Sequence, residues 1–138
     1  MPNQEQIELD QTKTIVTRMA ARISAPLNLL PTYGTSGDLG RPHLEVDGRG
    51  YHLVVVEKGV EQYRTTVASR EDLLFEIFRG VASSMGFEFE IRQAQREVDP
   101  RRVAFEKALS ILGLLSKSWE KRQREYFDRV LIGAPLRT

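Results

Sequence analysis

His43 and His52 are the two histidines of the chain, and Glu45, Asp47 and Glu57 stand within a few residues of them. Two imidazoles and a carboxylate are a workable ligand set for zinc, and an imidazole beside a carboxylate can serve as a general base. The spacing matches none of the tight metal patterns: there is no His-Glu-x-x-His helix and no set of Cys or His at finger spacing. Strand histidines hydrogen-bonded to neighbouring backbone or carboxylate explain the pair more simply, so no metal and no cofactor is expected. Ser36 lies in no nucleophile elbow, and a triad drawn from scattered Ser, His and Asp fits most chains of this size. Gly34 and Gly37 are followed by neither the Lys-Ser/Thr nor the helix start of a phosphate loop. No catalytic residue emerges, and a role other than catalysis is expected.

The elements that must position these groups follow from periodicity. From His43 the apolar period is two, with Leu44 and Val46 alternating with Glu45 and Asp47, and Asp47-Gly48-Arg49-Gly50 supplies glycines for a tight turn. Tyr51 to Glu57 returns as a run rich in β-branched and aromatic residues, which suits a central strand. Lys58-Gly59 turns the chain again into a more polar strand, Val60 to Val67. These segments predict a three-stranded antiparallel meander with one histidine on each arm of its first hairpin. Ahead of it, Ile15, Val16, Met19, Ala20 and Ile23 recur at helical spacing, extended backwards by Ile7 and Thr12. Residues 25–42, with three prolines and three glycines, read as a long loop, a setting in which functional segments are common.

After the meander, Ser69 and Asp72 have capping-box spacing, and Leu73, Leu74, Ile77, Phe78, Val81, Ala82 and Met85 trace the most secure helical stripe in the chain. Phe87-Glu-Phe-Glu-Ile91 alternates with period two and fits a short strand or a continuation of that helix past Gly86, with the helix preferred. Asp99-Pro100 reads as a cap and first-turn proline before the stripe Ala104, Phe105, Ala108, Leu109, Leu112 and Leu115. Ser116 or Ser118 caps a last helix carrying Trp119, Gln123, Tyr126, Phe127, Val130 and Leu131, a spacing at which core packing is the default use of aromatics. The expectation is one α+β domain over residues 1–138: an N-terminal helix, the meander, then three C-terminal helices packed on one sheet face.

Composition narrows the partners. With 138 residues, 41% hydrophobic and 28% charged, the chain suits one globular domain, and its formal net charge of +1 names no partner in bulk. The balance hides an asymmetry: residues 69–100 hold four bases against seven acids, and residues 101–138 hold nine bases against four. A basic tail is the footprint of nucleic-acid binding, but no RNA-module signature or DNA-reading motif accompanies it, so a solvated or internally paired helix face is preferred. A nucleic-acid-associated protein using Arg101, Arg102, Lys117, Lys121, Arg122 and Arg124 remains the alternative. No apolar run is long enough to cross a membrane, the polar opening does not look like a secretion signal, and the absence of cysteine suits a reducing cytoplasm.

At Tyr33-Gly-Thr-Ser-Gly-Asp38, Arg41-Pro-His-Leu-Glu-Val-Asp47 and Gly50-Tyr-His-Leu-Val-Val-Val-Glu-Lys-Gly59 the chain resembles the immunity protein 63 family of bacterial polymorphic toxin systems. The likeness continues through Asp72 to Phe78 and Phe105 to Arg129, about three quarters of the chain. Leu53 stands where an aromatic is usual, and Ala82 to Arg92 diverges. The resemblance implies a non-catalytic cytoplasmic antidote that binds and neutralises one cognate toxin. It brings no catalytic residues. It points to Tyr33, Arg41, His43, Glu45, Tyr51 and His52 as a toxin-contacting surface or as the scaffold that shapes one. Arg41 could pair with a carboxylate of the toxin or tie the long loop to the sheet.

Overall fold

The computed structural model describes residues 3–34, 40–93 and 98–136; Thr35, Ser36, Gly37 and Asp38 of the resembling motif lie outside these. The chain divides into two compact units, residues 1–77 and 78–138, with the boundary inside one continuous helix.

In the first unit, helix α1 (Gln4–Arg22) starts where Asn3 Oδ1 accepts from the Gln6 amide, and buries Leu9, Thr12, Val16 and Ala20 along one side. The described start of the stretch expected to be loop, residues 25–34, is more ordered than its prolines suggest. It holds a 3-10 turn at Leu27–Leu29 and a two-residue strand β1 (Thr32–Tyr33), anchored by Thr32 N–H to Pro42 O and Gly34 N–H to Leu44 O. β2 (His43–Asp47), β3 (Gly50–Glu57) and β4 (Val60–Val67) follow as the expected antiparallel meander. Because β1 pairs with β2 in parallel, the sheet is four-stranded and mixed, in the order β1-β2-β3-β4, and the three-stranded expectation is corrected to that extent. The helix layer differs too. Within this unit α1 packs on the sheet against β2, a helix that the expected layer of three C-terminal helices did not include.

Two tight turns set the register. Gly48 and Arg49 reverse the chain between Asp47 and Gly50, whose φ of 128° and closeness to the Val67 carbonyl leave no room for a Cβ. Lys58 and Gly59, at φ 52° and 77°, form the other reversal with the two positive φ values that match strand twist. A bulge between Val55 and Val56 then leaves Gln62 unpaired, so His52 faces Thr66 across β4.

Helix α2 (Arg70–Gln93) begins with the Ser69 hydroxyl accepting from the Asp72 amide and runs unbroken through Gly86 and Phe87 to Ile91, the helical alternative for that segment. In the second unit, α3 (Pro100–Leu115) is capped by Asp99 and α4 (Lys117–Gly133) by Ser116, which accepts from the Trp119 amide. The two pack on each other, and Ala104, Ala108, Leu109, Leu112, Trp119 and Phe127 are buried within this unit. Phe105 and Phe127 stack with ring centroids 3.9 Å apart.

Candidate functional site

Strand alternation places His43, Glu45 and Asp47 on one face of β2, and the hairpin register sets Val54, His52 and Gly50 opposite them. Two short bonds join histidine to carboxylate there: His43 Nε2 to Glu45 Oε2 at 2.7 Å and His52 Nε2 to Asp47 Oδ1 at 2.7 Å. Both imidazoles are buried, 4% and 3% exposed, while the two carboxylates keep an edge in water. His52 Nδ1 meets Thr66 Oγ1 at 2.8 Å, so with Nε2 protonated toward Asp47 the ring accepts from the threonine hydroxyl. Glu45 also receives Arg64 at 3.1 Å, and Arg64 reaches Glu61 at 2.8 Å. A run of alternating charge and imidazole thus crosses three strands on one face.

The field follows from these bonds. The His43 hydrogen bond holds the Glu45 carboxyl below its ordinary value, assisted by Arg64 and opposed by partial burial. Asp47 is lowered chiefly by His52 and then by the Arg49 amide, which donates at 2.8 Å. Arg64, between two carboxylates, is pushed far up and stays charged.

The other sequence candidates lie elsewhere in this unit. Tyr51 is on the opposite face, where its hydroxyl donates to Glu8 Oε2 of α1 at 2.8 Å and Arg70, opening α2, donates to the same oxygen at 2.6 Å. Arg41 gives Nε to Leu30 O at 2.6 Å and a terminal nitrogen to Leu27 O at 3.0 Å, so its guanidinium caps the 3-10 turn and ties the loop to β2. Tyr33, half-buried at the β1 edge, has its phenol pushed up to about 12 by burial, against the pull of Arg41. The six residues therefore do not form one cluster. His43, Glu45 and His52 share a face, Arg41 and Tyr51 bond at separate places in the unit, and Tyr33 sits at the β1 edge.

Three partners of that face, Asp47, Arg64 and Thr66, carry as much of the network as the histidines do. Asp47 was visible in sequence as a nearby carboxylate, whereas Arg64 and Thr66 had no local signal. The chemistry available is that of acid, base and hydroxyl in a row, with both nitrogens of His52 spent on strand-to-strand bonds. Among the described residues, no three His, Cys, Asp or Glu side chains converge to hold a metal ion.

A family model described as immunity protein 63 matches residues 47–129, more than half of the chain. The chain belongs to the immunity protein 63 family. No curated protein and no solved structure gives a significant match. The matched stretch contains Asp47, Tyr51, His52, Arg64 and Thr66, while Tyr33, Arg41, His43 and Glu45 precede it. In this immunity protein 63 member the basic tail is laced with acids: Arg124 meets Glu106 at 3.2 Å and Glu120 at 4.0 Å, Lys117 meets Glu120, and Arg101 meets Asp99 while donating to Ala134 O and Pro135 O. A cleft of about 240 Å³ between α3 and α4 is floored by Phe105 and Phe127 and rimmed by Arg102, Arg124, Glu106 and Asp128. That rim has no charge excess to attract phosphate. No helix among the described residues is long and apolar enough to cross a membrane.

Proposed function

We propose that this chain is an immunity protein that binds one cognate polymorphic toxin in the cytoplasm of the bacterium producing it, and neutralises it without catalysis of its own. The observation that carries the reading is the family match over residues 47–129. Immunity proteins are in general non-catalytic, and the chemistry-bearing side chains here bond to one another across β2, β3 and β4. The chain acts as one domain over residues 1–138. Tyr33, Arg41, His43, Glu45, Tyr51 and His52 serve the toxin-binding surface in two ways. Glu45 contacts the toxin through its open carboxylate edge, and the others hold the loop and sheet in the shape that presents it.

The test is co-expression with the toxin gene beside this one. Wild-type chain restores growth, and the two proteins co-elute as one species from size exclusion. Growth arrest that persists with no shared peak would sink the reading.

A further inference from the structure

The sheet ends in two unlike edges. β1 closes one side with two residues, and β4 closes the other with eight. Natural sheets blunt their edges with short strands, lysine, proline or a covering element, because an open row of N–H and C=O groups invites another strand. β1 is blunted by its length. Val60–Val67 contains neither Lys nor Pro, six of its eight residues are exposed, and among the described residues no strand pairs with its outer side. Its single basic residue, Arg64, is paired with Glu45 of β2 and with Glu61 of β4 itself. Past the bulge, Tyr63 to Val67 is in regular register with β3, so every second residue turns its N–H and C=O outward.

The surroundings of the edge say what would fit it. Tyr63 and Val60, opposite Val55 and Glu57, lie on one face at 54% and 61% exposure and offer apolar area to a neighbouring strand. On the other face Glu45, Asp47 and Glu61, each 37% to 48% exposed, outnumber Arg64, with Arg49 exposed in the turn beyond. We propose that the outer edge of β4 is a docking edge for an extended basic segment of the toxin, which joins the sheet as a fifth strand. Backbone bonds over about 17 Å would supply affinity, and the carboxylate excess with Tyr63 and Val60 would supply selectivity. This deepens the immunity reading and rests on it.

The experiment is residue-resolved amide exchange of the full chain, free and bound to the toxin encoded beside it, together with the affinity of Tyr63→Lys. The expected result is slowing by about tenfold or more at alternate amides of Tyr63–Val67 in the complex, and weakening by about tenfold or more in Y63K. A complex in which these amides exchange as in the free protein overturns the docking edge and leaves the immunity reading standing. If the wild type forms no complex at all, the immunity reading falls and takes this edge with it. Protection of β4 in the free protein that grows with its own concentration assigns the edge to a second copy and overturns the toxin segment.

Discussion

His52 binds Asp47 through Nε2 at 2.7 Å and Thr66 through Nδ1 at 2.8 Å, so one buried ring fastens β2 and β4 to the strand between them. The order carboxylate, imidazole, hydroxyl is the one a hydrolase would use, yet here each bond also closes a cross-strand gap. Whether the ring is a tie or a base is decided by what its loss disturbs.

His52→Phe keeps most of the ring volume and removes both nitrogens. Asp47 and Thr66 are exposed and can turn to water, so the expected loss is about 1–2 kcal/mol, near that of one or two net hydrogen bonds. Urea unfolding measures it. An unchanged midpoint would contradict the tie.

Acid should weaken the first unit through its carboxylates. Glu45, Asp47 and Glu8 are all held below their ordinary values, by His43, by His52 and by Tyr51 first of all. A carboxyl lowered by folding stabilises the fold above its unfolded value, 4.5 for Glu and 3.8 for Asp, and that contribution is lost as pH falls through the lowered folded value. Denaturation midpoints should therefore drop below about pH 4.5 on account of these groups. In Glu45→Gln, whose neighbours His43, Arg64 and Glu61 remain, the deficit relative to wild type should shrink in that range. A deficit that widens on acidification would contradict the assignment.

Arg41→Ala separates scaffold from contact. It frees the Leu27 and Leu30 carbonyls, and the expected effect is faster exchange of the Leu29 and Leu30 amides, which bond to Pro26 O and Leu27 O. Global stability should fall by about 1 kcal/mol or less, because the site is only partly buried. Toxin affinity lost without any change in those amides would make Arg41 a contact instead.

Local rules made most of the elements legible, and long-range geometry hid the rest. Caps at Ser69, Asp99 and Ser116, and the turns at Gly48-Arg49 and Lys58-Gly59, are written in two to four adjacent residues and appear where expected. β1 was missed because Thr32 and Tyr33 are too few to show a period and sit between Pro31 and Gly34. Thr66 was missed for a sharper reason: a two-residue turn at Lys58-Gly59 sets Thr65 against His52, and the bulge at Gln62 moves the register by one. The Glu8, Tyr51 and Arg70 cluster joins groups 43 and 62 residues apart, which no local pattern encodes.

The charge asymmetry of the sequence should matter little to stability. Most ion pairs of the second unit are exposed, with Arg124 and Glu106 at 46% and 60% and Lys117 at 87%, while Arg101 pairs with the buried Asp99. Raising sodium chloride from about 0.1 to 1 M, which shortens the screening length from about 10 to 3 Å, should shift unfolding by under about 1 kcal/mol. The same tail should show no salt-sensitive affinity for duplex DNA or RNA at low ionic strength. Binding that falls steeply with added salt would revive the nucleic-acid alternative.

Two glycines of α2 give the sharpest contrast. In an exposed helix interior Gly→Ala stabilises by up to about 1 kcal/mol, because alanine has less backbone freedom to lose. Gly80 meets that condition, exposed with nothing within 4 Å of an added Cβ. Gly86 is buried, and its Cβ would press on the Ala104 carbonyl oxygen while lying 3.2 Å from the Ala108 nitrogen. Those atoms belong to the α3 backbone and cannot swing aside as a side chain would, so α3 must move back from α2. Gly80→Ala should therefore raise stability by about 0.5–1 kcal/mol, and Gly86→Ala should lower it by about 1–3 kcal/mol, the usual cost of overpacking. Thermal or urea unfolding of the two variants side by side measures both signs. Equal effects would mean that Gly86 is a tolerated helix glycine and not the contact that lets α3 approach.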